Sequence, residues 1–182
     1  MDERIDIWDA DGNPTGKTAL KSEAHREGWY HPTVHVWFYT SDGRVLLQRR
    51  AEDKATDPGV WDVSVAGHVG AGESPLEGAV REIREEIGLE VSADQLIPIT
   101  IVKDSRDHPG GIRDREFRHV YLCRLSQPFG ALTPQQSEVA ELRLIPLLQF
   151  AEETWGLARP GEYVPHGAQY YSRIVKEVKK RL

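Results

Sequence analysis

Residues 60–89 combine a strand pattern, a glycine-rich bend and a helix marked at both ends, and no other stretch constrains the fold as strongly. Ser74 offers an N-cap oxygen and Pro75 has the fixed φ that suits a first helical position. Glu77 completes a capping box and Gly88 follows the last apolar residue, so the spacing predicts a helix over 75–87. Leu76, Ala79, Val80, Ile83 and Ile87 form one apolar stripe at helical spacing, which needs a sheet to cover it. Gly67, Gly70 and Gly72 precede the helix and let the backbone turn sharply or approach a ligand closely.

Strand patterns dominate the rest of the first two-thirds. Residues 4–8 alternate and run into a turn at 9–14. Residues 33–40 (TVHVWFYT) are β-branched and aromatic, 41–44 is a turn, and 45–50 resumes, which predicts a hairpin. Further strands are expected at 60–66, 97–103, 116–125 and 142–145, with long loops at 104–114 and 155–167. Two more helices are expected, near 147–153 and over 168–181. The last turns Tyr171, Ile174, Val175 and Val178 inward and gathers Lys176, Lys179, Lys180 and Arg181 at its C-terminal end, where cations complement the helix dipole.

At 182 residues the chain suits a single domain spanning 1–182. Its 23 Lys and Arg against 29 Asp and Glu leave a net charge of −6, which argues against a nucleic-acid polymer or an anionic membrane as partner. A single cysteine, Cys123, cannot form an internal disulfide. The acidic start lacks the apolar core of a signal peptide, and no apolar run could span a bilayer, so a cytoplasmic location is expected.

The chemistry concentrates on the acidic helix. At about 100° per residue Glu82 and Glu86 stack one above the other with Glu85 beside Glu82. Like charges so placed destabilise a bare helix, and a hard divalent cation, Mg²⁺ or Mn²⁺, is a natural compensator; the alternative is a solvated acidic face.

The whole string decides between them: Gly67, five residues, Glu73, seven residues, then Arg81-Glu82-Ile83-Arg84-Glu85-Glu86-Ile87-Gly88-Leu89. At all nine defined positions within residues 67–89 it resembles the signature of the Nudix hydrolases. The resemblance implies an α/β (α+β) fold, a Nudix-type α/β/α sandwich around a mixed β-sheet, and cleavage of a small-molecule diphosphate. It further implies that Glu82, Glu85 and Glu86, with the Gly67 carbonyl, hold the metal, and that Arg81 orients the acids through Glu73. Glu86 is the first choice for the group that takes the proton of water, with Glu138 or Glu141 as alternatives. Arg49, Arg50 and Lys54 follow the hairpin, either gripping phosphate or forming an ordinary charged strand end.

Residues 6–72 are similar to one branch of that superfamily, the isopentenyl-diphosphate isomerases and their hydrolase-like relatives. The similarity rests on Gly12-Asn13-Pro14-Thr15-Gly16, Ala24-His25, Leu47-Gln48-Arg49-Arg50, Pro58-Gly59-Val60-Trp61 and Ser64-Val65-Ala66-Gly67-His68. The isomerases carry a catalytic cysteine immediately before the Gly-His pair, where this chain has Ala66. They also tend to degrade the acidic motif, which is intact here, so both departures favour hydrolysis. Cys123 reads as a small buried residue. His25, His31, His68 and Glu116, with Asp114 nearby, resemble the isomerases' metal site. Alternatively, His25 and His31 are loop residues at the substrate mouth and His68 contacts the diphosphate.

Hydrolysis of a nucleoside-diphosphate-type or other diphosphate metabolite is therefore expected. The alternatives are isomerase-like activity, or a sensing module that would have lost one of the three glutamates. Of Trp29, Tyr30, Trp37, Trp61 and Trp155, one or two are expected to touch ligand. The resemblance leaves a homodimer open, dimers being common among relatives.

Overall fold

A computed structural model describes residues 2–155, 159 and 161–182. The predicted helix, Pro75–Ile87 (α2), forms with the full capping box and with Gly88 left-handed at its C-cap. Ala79, Ile83 and Ile87 are fully buried. Burying each isoleucine is worth about 1.5–3 kcal/mol, which pins the helix to the sheet.

That sheet is built around His31–Tyr39 (β3), every residue of which is buried. Along one edge β3 pairs in parallel with Arg113–Arg124 (β8), and on the other it pairs antiparallel with Val65–His68 (β6) and, beyond it, with Arg44–Arg50 (β4). Ile97–Asp107 (β7) extends the sheet beyond β8, while Trp61–Asp62 (β5) and Val139–Pro146 (β9) pair with β4. Val34, Val36 and Phe38 face α2, whereas Trp37 and Tyr39 pack beneath Leu147–Thr154 (α3) and Ala168–Lys179 (α4). This is the expected α/β/α sandwich with a mixed sheet. Arg4–Trp8 (β1) and Pro14–Leu20 (β2) form a separate ribbon leading into Lys21–Glu27 (α1).

Several elements depart from expectation. The 33–50 hairpin opens at once: only Tyr39 and Val45 are register partners, and β4 takes β9 as its main neighbour. The single strand expected over 60–66 splits into β5 and β6. In the break, Ser64 Oγ accepts from Phe38 N (2.8 Å) and donates to the Leu46 carbonyl (2.6 Å), supplying ladder partners where β3 and β4 diverge. The loop expected at 104–114 is mostly the far end of the β7–β8 hairpin, turning at Gly110 and Gly111, both at positive φ. Its side chains alternate between charges, such as Asp107 with Arg115 (2.7 Å), so no apolar periodicity announces it. β2 and α1 lie in a stretch for which no element was expected beyond the turn at 9–14; α1 buries one residue, Ala24, and carries no apolar stripe. The expected loop at 155–167 falls partly outside the described residues.

Candidate active site

A cavity of about 490 Å³ opens between α2, β6, the loop after β4 and the β7–β8 hairpin. Glu82, Glu85 and Glu86 all line it, because α2 turns its apolar stripe to the sheet and its acidic face to the sheet's edge. Arg81 ties the acids together. Its Nε and Nη2 donate to the two oxygens of Glu73 (2.9 and 3.0 Å), and Nη1 donates to Glu82 Oε1 (2.8 Å) and Glu85 Oε2 (3.0 Å). Nη2 also reaches the His68 carbonyl (2.9 Å), which fixes the glycine-rich bend to the helix. Glu86 Oε2 accepts from Gln48 Nε2 (3.1 Å) and from the Ala66 amide (3.2 Å).

Glu82 and Glu86 are only 8% and 5% exposed. Burial pushes the Glu82 carboxyl up to about 7 against the partial relief of Arg81, and burial together with the nearby Glu82 pushes Glu86 up to about 8. The Glu82 carboxylate lies directly against Gly67, in the space that a side chain at that position would fill. Three carboxylates, one of them packed against the Gly67 backbone, and an uncompensated burial cost make a set of hard oxygen donors that fits Mg²⁺ or Mn²⁺.

A pH dependence follows. In the folded, metal-free protein these carboxyls hold their protons up to about pH 7 and 8, whereas in the unfolded chain they release them near 4.5. Their contribution to stability is complete below that value and is lost as pH rises through 7 and 8. Metal-free protein is expected to melt at progressively lower temperature from pH 5 to 9, and Mg²⁺ or Mn²⁺ to restore it most at the alkaline end. A melting temperature indifferent to metal at pH 8 would remove the assignment.

A second group of donors lies on the neighbouring wall. The ligand nitrogens of His25 on α1, His31 on β3 and His68 on β6 lie within 4.8 Å of one another, with His25 Nε2 and His68 Nε2 3.1 Å apart. His31 Nδ1 donates to the Trp29 carbonyl (2.9 Å), which leaves its Nε2 lone pair buried and without a partner. Burial holds the His25 and His68 rings below the usual imidazole range, and one of their facing Nε2 atoms donates to the other. Glu116 is the register partner of His31. Burial alone would raise its carboxyl, but the Arg118 guanidinium, donating to it at 2.7 Å, outweighs that and holds it ionised. Asp114 is 3.8 Å from His25 and 2.7 Å from His108.

The other expected contacts divide. Arg50 and Lys54 line the cavity, Arg50 held by the Thr56 carbonyl (2.8 Å) and Asp62 (3.2 Å), and Lys54 paired with Glu138. Arg49, its neighbour on β4, points away to Glu52 and the Gly59 carbonyl, because successive strand residues face opposite sides. Glu138 lines the cavity and Glu141 does not. Cys123 is fully buried and its thiol is pushed up to about 11 by burial. None of Trp29, Tyr30, Trp37, Trp61 and Trp155 is among the described lining residues, contrary to expectation: Trp37 is core and Trp61 is covered by the Arg143 guanidinium at 4.0 Å.

Lys21, Thr33, His35, Asp62, Arg106, Arg118 and His166 also line the cavity and were missed. The alternation of His31, Thr33 and His35 along β3, and of Glu116 and Arg118 along β8, could have found three of them. Asp62 and His166, 104 residues apart in sequence, carry no such signal.

A sequence model described as the NUDIX domain matches residues 29–166. Nudix hydrolase 3 of Arabidopsis thaliana is 35% identical over 153 residues, 82% of this chain, which spans only 20% of that longer protein. An isopentenyl-diphosphate Delta-isomerase of Serratia proteamaculans is 35% identical over 122 residues, covering 67% of this chain and 66% of the isomerase. A crystal structure from Deinococcus radiodurans is similar in fold, with a TM-score of 0.71 at 21% identity over 94% of this chain and 98% of that one.

Proposed function

Because the chain belongs to the Nudix family, we propose that it is a divalent-metal-dependent hydrolase that cleaves a diphosphate linkage with water. The observation that carries this reading is the acidic face of α2, where two carboxylates are buried at a cavity wall against the Gly67 backbone. Glu82, Glu85, Glu86 and the Gly67 carbonyl would hold Mg²⁺ or Mn²⁺. When bound, such an ion neutralises charge on the phosphoryl oxygens and lowers the pKa of a water.

The chain's own groups do the rest. Arg81 holds Glu82 and Glu85 in register with Glu73. Glu86 is the acceptor we assign for the proton of water, through Oε1, since Oε2 already accepts two hydrogen bonds. Glu138 is a weaker choice because Lys54 neutralises it. Arg50, Lys54 and His68 line the cavity and are the groups we assign to the diphosphate. The buried Nε2 of His31, orphaned beside His25, His68 and Glu116, supports a second cation there.

The isomerase reading is weaker. Ala66 stands on the cavity wall at the position of the isomerases' cysteine, and a methyl group moves no proton. Phosphorus NMR with Mg²⁺ or Mn²⁺, alongside the proton spectrum of isopentenyl diphosphate, tests both. The expected result is metal-dependent release of phosphate that EDTA stops, with the double bond unmoved. Migration of the double bond without cleavage would establish the isomerase, and binding without any turnover would establish a sensing module.

A further inference from the structure

The cavity wall opposite the acidic helix is unusually polar for a site that accepts an organic group. His31, Thr33 and His35 share one face of β3, flanked by His68 on β6 and by Glu116 and Arg118 on β8. At its far end stand Asp62 and His166. Thr33, His35, Asp62, Glu116 and Arg118 are each less than 9% exposed, so this is a built surface rather than a solvated rim.

Its donors and acceptors have set directions. Arg118 Nη1 can only donate, so at 3.2 Å it makes His166 Nδ1 an acceptor, and His166 Nε2–H then donates to Asp62 Oδ1 at 2.7 Å. Tyr170 Oη accepts from Trp37 Nε1 (2.9 Å) and is hydrogen-bonded to His35 Nδ1 (2.7 Å), which uses one ring nitrogen of His35 and leaves Nε2 for another partner. Thr33 Oγ1 is buried at this wall with no partner at all. An orphaned hydroxyl costs about 1–3 kcal/mol unless a ligand completes it.

Two substrate classes suit this wall poorly. Nucleobases are gripped by stacking on aromatic rings, worth about 1–3 kcal/mol per base, and no Phe, Tyr or Trp is among the described lining residues. An isoprenoid chain needs hydrocarbon around it, yet the apolar residues among the described lining are only Val34, Ala55, Ala66, Ile112 and Val164. Such a chain would strip water from Glu116, Asp62 and Thr33 and return nothing. A hydroxyl group both donates and accepts, so a run of hydroxyls can meet carboxylate, imidazole N–H and threonine together.

We propose that the group carried by the diphosphate is a small polyhydroxylated one, a sugar or polyol, recognised by Thr33, His35, Asp62 and Glu116, with His166 holding Asp62 in place. This rests on the diphosphate-hydrolase reading and names the substrate class for that same cavity.

The test compares kcat/KM for glucose 1-diphosphate, isopentenyl diphosphate, uridine diphosphate and methyl diphosphate with Mg²⁺ or Mn²⁺. The sugar diphosphate is expected to lead the isoprenoid, which has no hydroxyl, by about 100-fold or more, and the nucleotide, whose base finds no ring to stack on, by about 10-fold or more. Thr33→Val, which keeps the shape and removes the hydroxyl, is expected to lower the ratio of glucose 1-diphosphate to methyl diphosphate cleavage by about 10-fold. Preference for the isoprenoid or the nucleotide, or an unchanged ratio in Thr33→Val, would overturn the proposal while leaving the hydrolase reading intact. If no diphosphate is cleaved, the hydrolase reading fails. Calorimetry with glucose 1-phosphate, isopentenyl phosphate and uridine monophosphate then decides the wall by itself: tighter binding of the sugar phosphate supports the proposal, and equal or reversed affinities overturn it.

Discussion

Glu86→Gln is expected to lower diphosphate turnover by about 100-fold or more and, at the same time, to raise the melting temperature of the metal-free protein at pH 9. The two effects have one origin. Glutamine keeps the shape and an acceptor oxygen for Gln48 Nε2 and the Ala66 amide, so the packing around α2 survives. It loses the negative charge that a divalent ion needs and the basic oxygen assigned to take the proton from water. It also loses the cost of ionising a carboxyl that burial has pushed up to about 8, which amounts to a few kcal/mol at most. Below about pH 4.5, where the wild-type carboxyl is protonated in both states, the two proteins should melt alike. Circular dichroism melts across pH, beside phosphate release, separate the contributions. Unchanged turnover would sink the assignment of Glu86, and a lower melting temperature at pH 9 would mean that its carboxylate stabilises the fold directly.

Gly67→Ala carries the second large effect. A Cβ at position 67 would lie within 2.5 Å of Glu82 Cγ and closer still to the carboxyl, while the glycine itself has no positive φ that alanine would strain. The backbone can therefore keep its place opposite Val34 while the Glu82 side chain is forced out. Turnover is expected to fall about 100-fold and Mn²⁺ affinity about 10- to 100-fold, for a stability loss of about 1–3 kcal/mol from overpacking. Calorimetric Mn²⁺ titration reads this without reference to activity. Wild-type affinity in the alanine variant would show that the contact between Gly67 and Glu82 does not organise the site.

Both substitutions act on residues that the sequence singles out, but the reasons came from different distances along the chain. Gly67, Glu73, Arg81, Glu82, Glu85 and Glu86 lie within one short motif, and its regular spacing sufficed to place three carboxylates on one helical face. That one guanidinium reaches Glu73, Glu82, Glu85 and the His68 carbonyl was only partly foreseen, because a spacing says which residues are near and not how many one side chain can serve. The alternation rule that separates Arg49 from Arg50 was available from the strand pattern, yet which face met the cavity depended on where β9 and β5 came to lie.

By itself the sequence determined α2, its caps, its acidic face and most of the strands, because capping, helical spacing and strand alternation are interactions within a few residues. It also determined the exclusion of an internal disulfide among these 182 residues, since the one cysteine has no partner there. Only the tertiary structure decided that the hairpin over 33–50 opens and that Ser64 bridges the gap, that 104–114 is a charged ribbon, and that α1 brings His25 to His68. It alone set His35, Asp62, Arg118 and His166 into one wall. These contacts join residues from 48 to 135 positions apart, and each forms because the sheet and its covering helices close the intervening chain; no short-range preference of the residues themselves could specify them.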